Sequence, residues 1–173
     1  PLYKIFYDSK LNFIDLISNK SNTLFIPFAE ADELPVINGE GQTIGLLKCT
    51  QNGTNRNYFR KILISSDSRQ IYSLDAEGRI QTWALNGALQ KSTNDGTEYI
   101  DVDISPFNNE ILALNFDENG AYVDRMDKAY NVIGTFFSDS IILSINSVMQ
   151  GEGVMLATDT NLEIRDNNWE LLY

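Results

Sequence analysis

The chain contains no histidine and only one cysteine, Cys49, among its 173 residues. Without histidine it cannot form a Ser-His-Asp triad or a Cys-His dyad, and one cysteine alone does not make a zinc site. A single cysteine also excludes a disulfide within the chain. The glycine spacings of dinucleotide-binding loops and P-loops are missing as well. These absences argue against an enzyme and predict no catalytic residue, no cofactor and no metal ligand.

Basic residues are scarce. The 13 Lys and Arg face 24 Asp and Glu, which gives a formal net charge of −11. Such a surface repels the phosphates of nucleic acids and the headgroups of anionic membranes. The sequence therefore predicts neither nucleic acid nor membrane as a direct partner. The excess charge either serves solubility or favours a basic partner.

Long hydrophobic runs are absent, and no stretch has the length needed to cross a membrane. The first ten residues carry Lys4, Asp8 and Lys10, which is not typical of a signal peptide. A single cysteine is compatible with a reducing compartment. Together these features predict a cytoplasmic, intracellular protein.

Short strand-like runs fill the stretch from Tyr99 to Phe137, and a turn ends each of them. The four runs are Ile100–Ile104, Ile111–Phe116, Ala121–Met126 and Asn131–Phe137. β-Branched and aromatic residues in these runs favour strands. Four strands in about forty residues are typical of one blade of a β-propeller.

The same cycle recurs along the chain. The first strand of each repeat ends near Ile17, Ile64, Ile104 or Ile145, which lie roughly 40 to 47 residues apart. The remaining predicted strands are Phe13–Ser18, Thr23–Phe28, Pro35–Ile37, Thr43–Lys48, Tyr58–Ser66, Arg69–Leu74, Arg79–Leu85, Ala88–Lys91, Ile141–Ile145, Val154–Thr158, Leu162–Arg165 and Trp169–Tyr173. This pattern predicts an all-β β-propeller of about four four-stranded blades. The alternative is a β-sandwich with strands at similar spacing.

The domain prediction is a single propeller domain or segment that covers residues 1–173. Its blades are residues 11–48, 58–92, 99–137 and 141–173, and an extra outer strand, Pro1–Tyr7, lies within residues 1–10. Four blades are at the low end for a closed ring, and an open ring would leave apolar blade faces and strand edges exposed. We therefore expect a part of a larger ring, completed by further residues, a second copy or another subunit. A closed four-bladed ring is the alternative.

Two repeats resemble the WD40 family. The resembling segments are Val102–Pro106, Glu110–Leu114 and Asn119-Gly120 in one repeat, and Ile64–Asp67, Gln70–Ser73 and Glu77–Trp83 in the other. Trp83 stands where the family carries the Trp of its Trp-Asp pair, and Asp166 stands near the Asp of that pair in the last repeat. The resemblance is loose but extends over nearly the whole chain.

The sequence departs from the WD40 pattern at two points. It lacks the Gly-His pair, and Ala84 follows Trp83 in place of Asp. The family's His–Ser/Thr–Asp–Trp hydrogen-bond network therefore cannot form, and we expect the blades to be held together mainly by packing. The resemblance implies a non-catalytic scaffold for protein–protein interaction within a larger assembly. The alternatives are a lectin-like propeller that binds a ligand or carbohydrate, and a ring-forming structural subunit of a viral or other assembly.

Arg56, Tyr58 and Arg60 form the one cluster of basic and aromatic residues in the sequence. They flank the polar segment Thr50–Asn57, which joins two predicted blades. Arg and Tyr are favoured at the energetic centres of protein interfaces. These three residues are the predicted partner-binding site; the alternative is a solvated loop.

The segment Asn115–Gly120 resembles the start of a calcium-binding loop, because oxygen-bearing side chains alternate and a glycine follows. Val123 and Met126 fall where later ligands are needed. A hairpin with a type I′ turn is therefore the favoured interpretation.

Asp101 and Asp103 alternate with apolar residues, so both carboxylates share one face of a strand. Such a pair could act in acid–base chemistry or hold a metal. The favoured alternative is a pair of solvated or turn-bonded carboxylates along a propeller channel.

Overall fold

The computed structural model describes residues 13–29, 31–49, 58–93, 96–105, 108–147, 153–166 and 168–172. The predicted strand Pro1–Tyr7 and the whole loop Thr50–Asn57, including Arg56, lie outside these ranges. Within them, every regular element is a β-strand, and no helix is present that could cross a membrane. The chain divides into two compact units, which we call unit 1 (Pro1–Asp95) and unit 2 (Gly96–Tyr173).

Unit 1 contains two four-stranded antiparallel sheets. Each is a meander in which strands adjacent in sequence are adjacent in the sheet, in the orders β1-β2-β3-β4 and β5-β6-β7-β8. The strands are β1 Phe13–Ser18, β2 Leu24–Ala29, β3 Glu33–Asn38, β4 Thr43–Lys48, β5 Phe59–Ile64, β6 Gln70–Asp75, β7 Ile80–Ala84 and β8 Leu89–Ser92. These sheets are the first two predicted blades.

Unit 2 contains a four-stranded meander in the order β12-β11-β10-β9 and a three-stranded meander, β13-β14-β15. The strands are β9 Asp101–Ile104, β10 Ile111–Asp117, β11 Gly120–Met126, β12 Val132–Phe137, β13 Ile142–Ser147, β14 Gly153–Thr158 and β15 Leu162–Asp166. Successive short meanders are the arrangement of propeller blades and differ from the two packed sheets of a sandwich.

The predicted last strand, Trp169–Tyr173, does not form in the part of it that the structure describes. Leu171 makes only an isolated bridge with Arg165. Trp169 has a φ of +66°, a left-handed conformation that does not extend a strand. The chain touches the sheet again where the Leu172 amide donates to the Ile164 carbonyl at 2.7 Å. The described part of the fourth blade therefore has three strands and one bridge.

Burial falls from the middle of each blade to its outer strand. β6 and β10 are buried on both faces over most of their length, whereas β8 and β12 are mostly exposed. This explains why the first four residues of β10, Ile111–Leu114, are a continuous apolar run rather than an alternating one. The buried core of unit 1 includes Ile26, Leu47, Phe59 and Trp83, and that of unit 2 includes Leu114 and Leu156.

Two glycines let the first two blades approach closely. A Cβ on Gly45 of β4 would lie 2.3 Å from the Leu85 carbonyl oxygen, and one on Gly87 would lie 2.3 Å from the Leu46 carbonyl oxygen. Gly87 also has a φ of +84°, which favours glycine. The β7–β8 turn thus packs backbone to backbone against β4, and no larger residue fits at either position.

A single side-chain oxygen holds the outer turn in three blades, where the outer turn is the one that follows the third strand. Asn38, Asp127 and Asp166 each accept, through Oδ1, the backbone N–H groups two and four residues later at 2.7–3.0 Å. The second blade has Ala84 at this position, and the same backbone bond closes its turn, from the Gly87 amide to the Ala84 carbonyl at 2.9 Å. Asp166, placed by the WD40 resemblance near the family's Asp, therefore belongs to a repeated turn.

The second blade adds buried side-chain hydrogen bonds to the packing that we expect to be the main force holding the blades together. Trp83 is buried, and its Nε1 donates to Ser73 Oγ at 2.9 Å. Ser73 in turn donates to Gln81 Oε1 at 3.3 Å. The Gln81 amide gives the serine an acceptor inside the blade, so a Trp–Ser bond forms without histidine. Packing contributes as well, since the Phe59 and Trp83 rings pack edge to face with 6.0 Å between their centroids.

Candidate interaction surface

Tyr58 and Arg60 lie at the start of β5, next to the β6–β7 turn. The Tyr58 side chain is 39% exposed, and its carbonyl accepts a hydrogen bond from the Ala76 amide at 2.9 Å. Arg60 is an exposed residue of β5. The structure thus brings two of the three predicted partner-binding residues to one end of a strand, while Arg56 lies outside the described residues. Their role in binding stays a prediction.

The β6–β7 turn beside Tyr58 is built on a buried carboxylate that the sequence reasoning missed. Asp75 is fully buried, and its Oδ1 accepts the Glu77 and Arg79 amides at 3.0 and 2.9 Å. Its Oδ2 pairs with Arg79 Nε at 2.8 Å, and Arg79 also reaches Glu77 at 3.1 Å. The Asp-x-x-Gly-Arg sequence at residues 75–79 is the signal from which this carboxylate-centred turn could have been predicted. These bonds hold the turn whose Ala76 amide donates to the Tyr58 carbonyl, and so they help to fix the backbone at Tyr58.

Cys49, directly after β4, is buried near the same turn. Burial of the thiol, reinforced by the negative charge of Asp75, raises the pKa of Cys49 to about 12, and Arg79 only partly opposes the shift. The thiol is therefore neutral at physiological pH. Because the thiolate is the reactive and metal-binding form, Cys49 is a core residue rather than a nucleophile.

Asp101 and Asp103 join two strands of unit 2. Asp101 Oδ2 accepts the Ile145 amide at 3.0 Å, and Asp103 Oδ2 accepts the Ser147 amide. Ser147 Oγ returns a hydrogen bond to the Ile104 carbonyl at 3.1 Å. The two carboxylates thus connect β9, the first strand of one blade, to β13, the first strand of the next. They do not face each other across a substrate space.

The segment Asn115–Gly120 is a hairpin turn. Asp117 pairs with Gly120 across the β10–β11 hairpin, and Asp117 Oδ1 accepts the Asn119 amide at 2.7 Å. Gly120 has a positive φ, but the two loop residues, Glu118 and Asn119, do not. The predicted type I′ turn would need positive φ at both loop residues, so that prediction was wrong. The oxygens of this segment bond the hairpin itself.

Two features of the described residues bear on possible chemistry: the grouping of their metal-ligating side chains and a cleft in unit 2. No group of three or more His, Cys, Asp or Glu that could hold a metal occurs in those ranges. A cleft of about 460 Å³ in unit 2 includes Glu110, Asp127, Lys128 and Ile133 in its lining. Glu110 Oε2 is engaged by Arg125, at 3.0 Å from Nε and 2.8 Å from Nη2, and Asp127 is the turn-holding carboxylate. The Glu110 and Asp127 carboxylates of the cleft are thus engaged by other groups of the fold.

Comparison with known proteins establishes the fold. No protein-family model and no curated protein matches the sequence. Among solved structures, the chain is similar to the WD40 repeats of RRP9, with a TM-score of 0.76 and 12% identity over 98% of this chain and 52% of that one. It is also similar to U3-55K, with a TM-score of 0.75 and 13% identity over 98% of this chain and 53% of that one.

This protein therefore has the β-propeller fold of WD40-repeat structures, which confirms the predicted all-β class and WD40-like blades and rejects the sandwich. The chain spans about half the length of the solved chains that it matches. At this low identity the likeness concerns the fold alone.

Proposed function

We propose that this protein is a non-catalytic scaffold for protein–protein interaction. The observation that carries the proposal is the WD40-type fold over 98% of the chain at a TM-score of 0.76. The described residues add support, since the acidic pair, the hairpin turn and the cysteine that could have done chemistry all have structural roles. Fold-level analogy assigns a scaffold and not a particular partner.

We further propose that the four blades are part of a larger ring. The solved chains are about twice the length that this chain covers, which leaves room for further blades. The last sheet supports this. One face holds Ile145 and Leu156 in the core of unit 2, while the other carries Met155, Ile164 and a 59% exposed Leu162. A further blade of the same kind would cover this second face.

Arg56, Tyr58 and Arg60 remain our proposed partner-binding residues in unit 1. The exposed phenol of Tyr58 and its support by the Asp75 turn favour an interface role, because a rigid aromatic side chain loses little entropy on binding.

An intracellular location also remains a proposal, consistent with the single neutral cysteine. Fractionation of cells that express the tagged protein tests the location.

A random peptide library displayed on phage tests the scaffold proposal. We expect the immobilised protein to enrich peptides that bind it reproducibly in solution. A second selection would use the variant Tyr58→Ala/Arg60→Ala, with Glu40→Ala in another exposed turn of unit 1 as its control. Loss of a peptide class with the first variant alone would assign that class to the proposed site. Failure of the native protein to enrich any peptide would contradict the scaffold role.

A further inference from the structure

The outer strands of three blades have one edge with no neighbouring strand. In the described part of the chain, β4, β8 and β12 end their sheets, and no further strand lies beyond them. The backbone N–H and C=O groups of such an edge can pair with another chain, so proteins usually protect the edge with a charge, a proline, a bulge or a covering segment. Differences in this protection show which edge is available.

β12 is the least protected of these strands. β4 ends in Lys48, and the β7–β8 turn packs against its Gly45. β8 contains Lys91. By contrast, β12 has the sequence Val-Ile-Gly-Thr-Phe-Phe, without charge or proline, and its one irregularity is a bulge at Ile133, near its beginning. An uncharged edge strand of β-branched and aromatic residues favours the addition of a further strand.

The register shows which backbone groups of β12 face outward. In an antiparallel ladder, residues alternate between bonding the neighbouring strand and pointing away from it. The Ser138 amide, directly after β12, donates to the Ala121 carbonyl of β11 at 3.0 Å. Phe136 belongs to the same inward-bonding set as Ser138. The N–H and C=O groups of Thr135 and Phe137 therefore point away from β11.

The side chains of Thr135 and Phe137 share one face of the sheet, beside these outward groups. Phe137 is 62% exposed, and its ring lies against that of Tyr122, its register partner, at 5.7 Å between centroids. The Tyr122 hydroxyl accepts a hydrogen bond from Asn115 Nδ2 at 2.8 Å, and Thr135 Oγ1 donates to Asp124 Oδ1 at 2.6 Å. The exposed Phe137 ring thus stands on a hydrogen-bonded sheet face.

We propose that β12 binds an extended segment of a partner protein as an added strand. The outward groups of Thr135 and Phe137 would bond the backbone of the segment, and an apolar side chain beside Phe137 would cover its ring. The segment would be rich in β-branched and aromatic residues and free of proline, which lacks the N–H that a ladder needs. This inference deepens the proposed scaffold function and rests on it.

A second copy of this chain is the alternative occupant, and charge disfavours it. Unit 2 has three basic and fourteen acidic residues. Pairing β12 with β12 of another copy would bring two such units side by side, and their like charges repel each other. An uncharged segment of another protein meets no such repulsion.

The peptides selected on phage test the backbone pairing without any change to the protein. Synthetic copies would carry N-methyl groups on alternate amides, in two complementary sets. In an added strand, one set of amides points towards β12 and the other away from it. We expect one methylated set to weaken binding by about tenfold or more and the other by less than about threefold, measured by fluorescence anisotropy.

A substitution tests the location. Phe137→Lys gives β12 a charge of the kind that β4 and β8 carry, and it should weaken binding of the same peptides by about tenfold or more. The matched control is Leu89→Lys, at a 42% exposed position of β8, which should change binding by less than about threefold. Circular dichroism and melting curves like those of the native protein would show that both variants fold.

Hydrogen exchange of the native protein gives a readout that needs no variant. The outward amides of Thr135 and Phe137 should exchange more slowly when a peptide is bound. The control is the amide of Ser92 in β8, which also points away from its sheet because the next amide, that of Thr93, donates to the Ile80 carbonyl at 2.9 Å. Its exchange should not change.

The other outcomes overturn the inference in distinguishable ways. Peptides that bind Phe137→Lys as well as the native protein, equal effects of the two methylated sets, or unchanged exchange at Thr135 and Phe137 would each reject strand addition at β12 and leave the scaffold function standing. Self-association of the native protein that Phe137→Lys abolishes would assign β12 to a second copy instead. Failure to enrich any peptide would reject the scaffold function and the added strand together.

Discussion

Ala84 occupies the outer-turn position at which the other blades carry Asn38, Asp127 and Asp166. Each of those side chains accepts two backbone N–H groups, whereas alanine offers no acceptor. The backbone of the Ala84 turn already has the same closing bonds, from Gly87 to Ala84 and from Ala84 to Ala88, both at 2.9 Å. An acceptor placed there should therefore find its donors in position.

We predict that Ala84→Asp stabilises the protein by about 0.5–1.5 kcal/mol, the net value of a typical hydrogen bond. The reason is a new acceptor for the Asn86 amide and an alternative acceptor for the Ala88 amide, which in the native protein donates to Asn86 Oδ1 at 3.1 Å. Guanidinium unfolding measures the change, and Asp127→Ala is the reciprocal variant, which should lose a comparable amount. An Ala84→Asp protein no more stable than the native one would show that the turns are not equivalent.

Cys49 makes the free energy of unfolding depend on pH in the alkaline range. Its pKa in the folded protein, about 12, lies above the ordinary value of 9.0, because burial and Asp75 disfavour the thiolate. Between these values the unfolded chain has lost a proton that the folded chain keeps, so stability falls as pH rises from about 9 to about 12. Burial also raises the pKa of Tyr72, which adds to the decline at the upper end.

We predict that Cys49→Ala makes the stability less dependent on pH in that window. The native protein should lose up to about 1.4 kcal/mol per pH unit through the thiol, and the variant should not. Guanidinium unfolding with a reductant present, from neutral pH to about pH 11, compares the two slopes. The Cys49→Ala protein should retain the Tyr72 contribution. Equal slopes would contradict a buried neutral thiol.

At the scale of elements, most strands were predictable from the sequence, and the side-chain contacts between strands were not. The bounds of β1 and β4 agree with the prediction, because the apolar pattern and the turn residues act over a few positions. The prediction of a last strand, Trp169–Tyr173, was wrong because Trp169 adopts a positive φ, which its residue type does not favour. The resemblance placed Trp83 at the position of the WD40 Trp, but its bond to Ser73 depends on the register between β6 and β7.

The candidate site shows the same limit. The alternation of Asp101 and Asp103 correctly placed both carboxylates on one strand face, but their partners lie 44 residues later in sequence. Local pattern cannot reveal such a contact.

We predict that Asp101→Ala or Asp103→Ala destabilises unit 2 by about 1–3 kcal/mol, because each leaves a β13 amide without its acceptor. Hydrogen exchange measures the effect directly: the amide of Ile145 or of Ser147, respectively, should exchange faster than in the native protein. Asp139→Ala, at an exposed position, is the control and should leave both amides protected. Unchanged exchange in the Asp101→Ala protein would rule out this connection between the blades.

At the scale of the whole molecule, a WD40-type propeller fold occurs in a chain about half as long as the solved chains it matches. The exposed Leu162 on the outer face of the last sheet is the observation that supports the proposed larger ring. Since apolar blade faces favour association, the proposed larger ring makes a prediction about size.

The measurement that tests this most directly is absolute mass in solution, by light scattering behind a sizing column. We predict that the isolated 173-residue chain, whose mass is 19.5 kDa, associates into a defined multiple of that mass. The variant Leu162→Asp should weaken this association by placing a charge on the uncovered face. A sharp monomer peak from a soluble native chain that melts cooperatively would contradict the larger ring and indicate a closed four-bladed one.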